Sequence, residues 1–307
     1  MHIIRTFRYR IGTLRKNNGG FKEFCYMYLD RIFEAFGKKT NFYLDSLPKR
    51  FRKVFLRGNC YQIKDVRIPI LEPSDEKLFR EAILPDTFYS YINCEDKYDE
   101  IIYDRYDKFL CEGLYGLVND KVNVTVQPGD IVIDAGSWIG DFAAYASVRG
   151  AEAVYAFEPV DKTFAYLEQT AKLNKNIIPV KKGLSNENTS STLFVNLDGN
   201  SGGNALMNKP HENMQETSTI VETVKLDDFV HENNLPRVDF IKSDIEGFER
   251  HMLEGAQGVL REFAPKLALC TYHLPDDPKV MADLIMQANP KYNIVQKRMK
   301  LFASVPE

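Results

Sequence analysis

The chain has 307 residues, 44% hydrophobic and 27% charged, a balance that supports a packed core and excludes disordered, collagen-like and disulfide-scaffold proteins. Its longest apolar stretches, such as Leu267–Cys270, cannot span a bilayer; Cys25, Cys60, Cys94, Cys111 and Cys270 form no C-x-x-C pair, so no zinc or disulfide framework is expected and a reducing cytoplasm fits. The net charge of −3 is unevenly spread: residues 1–58 hold 14 Lys and Arg against 4 Asp and Glu, or +10, which leaves −13 on the rest.

Residues 1–58 interleave that positive charge with aromatic side chains. Phe24, Tyr28, Phe33 and Phe36 fall roughly on one face of an expected helix over 21–36, and Gly19, Gly20 and Gly37 break the segment. No uninterrupted apolar run follows the early arginines, so no secretory signal is expected. A basic aromatic extension suits an anionic membrane surface or an anionic carrier, or else packs on the acidic remainder of the chain. No nucleic-acid reader motif accompanies it. Residues 59–120 form the expected lead-in. A hairpin or edge strand is expected over 59–73, then helix over 74–120, with Ser74 as N-cap and Pro85 as a break.

From 121 to 307 the pattern alternates between strands and helices, as in a doubly wound α/β sheet. Strands are expected at 131–135, 153–157, 177–182, 238–243 and 266–271, with a closing pair at 292–296 and 301–304. Helices are expected at 138–149, 161–174, 248–262 and 278–288, the last capped by Asp277 before Pro278. Residues 198–218, rich in Gly and Asn, read as a long loop of the kind that often serves as a lid.

Two strand ends carry the chemistry. The strand 131–135 ends at Asp134-Ala135 and runs through Gly136-Ser137 to Gly140. Gly136 permits a tight turn, and Gly140 a close helix–sheet approach. A dinucleotide fold calls for G-x-G-x-x-G; here the spacing is D-x-G-x-x-x-G. Asp134 would repel a pyrophosphate and suits an ammonium group, which favours S-adenosylmethionine over NAD. At the next strand end, Pro159 fixes the chain's exit so that Glu158 faces the crevice, where a carboxylate can accept both ribose hydroxyls of an adenosine.

These blocks, with Asp239–Glu249 and Pro265–His273, resemble the FkbM-type methyltransferases in order and spacing over about residues 105–305. The resemblance implies a class I, Rossmann-like seven-stranded sheet, mostly parallel with an antiparallel closing strand. It also implies S-adenosylmethionine as cofactor and transfer of its methyl to a hydroxyl, with a sugar on a surface glycan or its lipid-linked precursor as the expected acceptor. Asp134, Ala135, Gly136, Ser137 and Gly140 would flank the methionine portion, Glu158 and Pro159 the ribose, Leu184 and Ser185 the adenine.

Asp244 and Glu246 would face the methyl group and acceptor. Such a pair can orient a hydroxyl, hold the amine near the sulfonium or take a divalent cation, though no metal is expected. His273, on the same strand edge, is the expected base. His2, His231 and His251 are read as structural, and His211 as able to reach a substrate from the loop. A cofactor-binding adapter and a nucleotide-dependent oxidoreductase are the competing readings. The glycine spacing and Asp134 disfavour the oxidoreductase. The expected location is cytoplasmic, peripheral to the inner membrane face through residues 1–58.

Overall fold

A computed structural model describes residues 54–58, 60–63, 65–79, 115–196, 214–297 and 299–306. The expected helix over 21–36, residues 80–114 of the expected helical lead-in, and the 198–213 part of the loop with His211 lie outside the described residues. The chain divides into two compact units, 1–64 and 65–307. In the first, β1 (Val54–Arg57) and β2 (Cys60–Ile63) form an antiparallel hairpin, with Gly58 at φ 59° in its turn.

The second unit opens with β3 (Val66–Pro69) and the short α1 (Pro73–Leu78). Glu72, not Ser74, is the N-cap of α1, because Pro73 fits the first helical position, where its missing N–H costs nothing. Helix was expected as far as residue 120. Instead β4 (Leu117–Val118) pairs antiparallel with β5 (Asn123–Val124).

β6 (Ile131–Ala135) and β7 (Ala153–Phe157) have the expected bounds. All five residues of β6 are buried, the mark of a central strand covered on both faces. β8 (Ile177–Val180), β12 (Phe240–Ser243), β13 (Lys266–Cys270), β14 (Asn293–Lys297) and β15 (Lys300–Ser304) complete a seven-stranded sheet. Its order is β14-β15-β13-β12-β6-β7-β8, and β15 is antiparallel to both neighbours. Order reverses between β6 and β12, so a crevice opens beyond their carboxyl ends, where α/β sheets bind ligands.

Between the strands lie α2 (Asp141–Val148), α3 (Asp161–Leu173), α4 (Leu226–Glu232), α5 (Glu249–Glu254), α6 (Gln257–Glu262) and α7 (Asp277–Ala288). Side chains alternate along β6: Ile133 and Ala135 join a core with Leu226, Met252, Leu260 and Ile285 from α4 to α7. On the other face Phe240, in register with Val132, stacks on Phe142 of α2 with ring centroids 5.9 Å apart. Each fully buried Phe contributes roughly 1.5–3 kcal/mol.

The helix expected from 138 begins at Asp141, and three further readings differ. The helix over 248–262 is two helices, because Gly255 packs against the Ser185 carbonyl and Asp227 re-caps the chain. The Asp227 carboxylate accepts the Gly258 and Val259 N–H groups at 2.8 Å, starting α6 afresh. Asp277 is the first residue of α7 rather than its cap; its carboxylate accepts the Leu274 N–H and pairs with Arg250. Residues 214–218, expected as loop, belong to β11 (Met214–Val224). β11 pairs antiparallel with β10 (Thr189–Asn196) and parallel with the short β9 (Gly183–Leu184). Leu193 and Val221 of this arm pack on Phe248 and Ile245, beside the crevice.

Candidate active site

The turn after β6 is tied to the end of β7. The Gly136 and Ser137 N–H groups both donate to the Phe157 carbonyl, at 3.1 and 2.9 Å, and Ser137 Oγ donates to the Asp134 carbonyl. Trp138, held at φ 48°, donates its N–H to Glu158 Oε2 at 3.0 Å. Non-glycine residues in that region store strain and cluster at functional sites. Gly140 admits α3 rather than the sheet: a Cβ there would lie 2.8 Å from Leu167 Cδ1.

Asp134 already has a cation. Lys242 of β12 is its register partner and places Nζ 3.0 Å from Asp134 Oδ1, both side chains being buried. The same ammonium donates to the carbonyls of Ala135 and Gly136. Burial works against the lysine's charge, but Asp134, Asp244 and Asp141 outweigh it and raise its pKa. The aspartate expected to receive a ligand's ammonium group therefore neutralises a buried lysine, although neither of its carboxylate oxygens accepts a hydrogen bond.

Glu158 stands where expected, but with fewer free acceptor positions. Oε1 accepts from the Val160 N–H and Thr163 Oγ1, and Oε2 from Trp138. A carboxylate has about four acceptor positions, so one remains for a ribose hydroxyl where two were expected. Burial pushes its carboxyl up to about 7, against the hydrogen bonds that favour the ion. Pro159 sits between these contacts. Leu184 joins the apolar core below β6 and β7, and Ser185 donates its N–H to the Val224 carbonyl.

The structure brings Asp244, Glu246 and His273 together, with Glu249. Glu246 lies at φ 54° and Gly247 at φ 99°, a bend that turns the chain from β12 into α5. The buried Glu249 carboxylate accepts the Ile245 and Gly247 N–H groups at 2.9 and 3.0 Å and so fixes the bend. Tyr115 and Tyr272 both donate phenol protons to Asp244, at 2.9 and 2.8 Å. Although burial alone would raise its pKa, Lys242, Tyr272 and His273 together lower it, and Asp244 is ionised. Burial raises the pKa of Glu246, with His273 pulling the other way.

His273 was expected near neutral pKa. Burial lowers its basicity, but Glu246 and Glu249 outweigh that and raise it to about 10, above the range of a base poised near neutral pH. Its Nε2 lies 3.3 Å from Glu246 Oε2 and 3.9 Å from Asp244 Oδ1, and its Nδ1 lies 3.3 Å from Glu249 Oε1.

Sequence reasoning gave no role to Lys242, Tyr115 or Tyr272. A single lysine in an otherwise apolar strand, level with an aspartate on the neighbouring one, was a readable signal for Lys242. Tyr115 carries none, being 129 residues from its partner.

The family model for the methyltransferase FkbM domain matches residues 134–292. Hexuronic acid methyltransferase AglP of Haloferax volcanii is 29% identical over 163 residues, which cover 53% of this chain and 64% of that protein. Methyltransferase 1 of Beauveria bassiana is 32% identical over 153 residues, covering 43% of this chain and 61% of that one. The chain thus spans less than two thirds of the length of these curated relatives. Among solved structures, methyltransferase FkbM from Methylobacillus flagellatus is similar at 22% identity and a TM-score of 0.42, over 57% of this chain and 43% of that one.

Proposed function

This chain belongs to the FkbM methyltransferase family, and we propose that it transfers a methyl group from S-adenosylmethionine to a hydroxyl of a sugar. The observation that carries the reading is the placement of Asp244, Glu246 and His273 on the strand edge that holds the Gly136 turn and Glu158. The name of the Haloferax volcanii relative supports a sugar-acid acceptor.

The residues fit the cofactor. A buried, unsatisfied Asp134 oxygen borders the turn, and Glu158 keeps one acceptor position for a ribose hydroxyl. When bound, the cofactor supplies an electrophilic methyl on a sulfonium. The chain supplies alignment and a proton acceptor. Asp244, held by two tyrosine hydroxyls, orients the acceptor hydroxyl. Glu246, a quarter exposed, would take the proton of the acceptor hydroxyl. His273 Nε2 stands 3.3 Å from Glu246 Oε2 and positions it. The basic aromatic segment 1–58 suits an anionic, lipid-linked acceptor at the inner membrane face. No helix among the described residues is long and apolar enough to cross a membrane.

The test uses methyl-labelled S-adenosylmethionine with hexuronate and hexose glycosides, free and lipid-linked in anionic vesicles. Alkali-stable label on the glycoside is the expected result. Alkali-labile label would mean ester formation and overturn the hydroxyl reading; no label on any glycoside would overturn the sugar.

Affinity for S-adenosylhomocysteine should depend on pH. With the Glu158 carboxyl near 7, the ion that accepts a ribose hydroxyl prevails above that pH and is lost below it. Titration calorimetry from pH 8 to pH 6 should show weakening binding, and Glu158→Gln should flatten the profile. A flat wild-type profile would remove Glu158 from the ribose.

A further inference from the structure

We infer that Asp244, Glu249 and His273 form a binding site for one divalent cation, beside the acceptor position. One potential ligand atom from each of the three lies within 4.8 Å of the others. Atoms that share a cation at about 2.0–2.2 Å can be no more than about 4.4 Å apart, so the cluster is close to closed before any ion arrives. His273 points independently to a ligand. Its side chain is 7% exposed, and neither ring nitrogen has a hydrogen-bond partner. The carboxylate oxygens 3.3 Å from the two ring nitrogens lie off line for a hydrogen bond. At Nδ1, where the neighbour is Glu249 Oε1, that separation matches two ligands around one tetrahedral metal better than a donor and its acceptor.

The charges point the same way. Asp244, Glu246 and Glu249 put three carboxylates around one imidazole, while Lys242, shared with Asp134, and Lys300 act on Asp244 alone among the three. Buried anions in excess of their partners are expensive unless a cation joins them. Glu249 is already anchored by two backbone N–H groups, and Asp244 by two phenols. Ligands held by an outer ring of hydrogen bonds are typical of metal sites. Glu246 fills that supporting role on the imidazole, against Nε2.

One nitrogen with two carboxylate oxygens suits Mn²⁺ or Zn²⁺ better than Mg²⁺, which prefers oxygen and retains its water. Such a cation would hold an acceptor oxygen and lower the pKa of its proton. This use rests on the methyltransferase reading; occupancy of the site does not.

The test is titration of chelator-treated full-length protein with Mn²⁺, followed by the loss of the free-ion resonance spectrum and by calorimetry, with Zn²⁺ and Mg²⁺ in parallel. One equivalent of Mn²⁺ or Zn²⁺ should bind, and more tightly than Mg²⁺. His273→Gln and Asp244→Asn should each weaken it by about tenfold or more. A circular-dichroism thermal melt of each variant reports whether it folds. No Mn²⁺ or Zn²⁺ binding by a wild type that binds S-adenosylhomocysteine would overturn the site and leave the methyltransferase reading standing. Unchanged metal affinity in both variants would overturn it as well. Metal binding without S-adenosylhomocysteine binding would uphold the site and count against that reading.

Discussion

Gly136→Ala should cut methyl transfer by about a hundredfold or more and cost roughly 2–5 kcal/mol of stability. A Cβ at this position would sit 1.9 Å from the Asp244 carbonyl oxygen and 2.9 Å from its carbon. Both are backbone atoms, so no side chain can swing aside. The φ of 73° adds the left-handed penalty of about 1–2 kcal/mol for a residue with a side chain. The only relief is to push the end of β6 away from the end of β12, which displaces Asp244 from the crevice and the turn from β7. Gly129→Ala is the control: its φ is 89°, but nothing lies within 4 Å of the added carbon, so it bears the conformational cost alone. Denaturant titrations and turnover of the two variants separate the clash from the φ term. Equal losses in both would show that the approach of the two strands is not what Gly136 protects.

The parts of the fold legible in the sequence are those where one local rule decides. Ile131–Ala135 and Ala153–Phe157 are short, apolar and bounded by turn residues, and both strands stand where that pattern puts them. The glycine turn, Glu158 and the meeting of Asp244, Glu246 and His273 were readable because each lies at a strand end, and parallel strands present those ends on one edge. What failed to show depends on partners far along the chain. The β11 stretch Gln-Glu-Thr-Ser-Thr exposes most of its side chains, so no apolar alternation marked it; its pairing with β10 makes it a strand. The break between α5 and α6 comes from Asp227 and Ser185, which no helical pattern in 248–262 can report.

The raised pKa of His273 failed to show for a related reason. An isolated histidine at a strand end has the near-neutral pKa that suits a base. Glu249 faces it only because the bend at Glu246-Gly247 turns α5 back over the strand edge. The site is therefore best understood by its charges rather than by its motifs. Two clusters share the carboxyl edge: Asp134 with Lys242 under the turn, and the carboxylates with His273 toward the acceptor. Asp244 is coupled to both, since Lys242 lowers its pKa from one side and His273 from the other.

Lys242→Met is the direct probe of the first cluster, with an expected cost of about 3–5 kcal/mol, the usual result of removing one member of a buried ion pair. The methionine fills a similar volume, so the loss reports charge and hydrogen bonding rather than a cavity. Lys242 is nearly fully buried and Asp134 fully so. The Asp134 carboxylate loses its ion partner, and the carbonyls of Ala135 and Gly136 lose a donor, the latter with its 2.6 Å contact. Removing the carboxylate as well should recover part of the loss, because Asp134 is then no longer a buried, unpaired charge. Denaturant unfolding of Lys242→Met, Asp134→Asn and the double variant closes the cycle, with an expected coupling of about 1–3 kcal/mol. Additive losses would mean that Lys242 stabilises the turn through the two carbonyls alone. In that case Asp134 would be free to receive a ligand's ammonium group, as its position in the sequence first suggested.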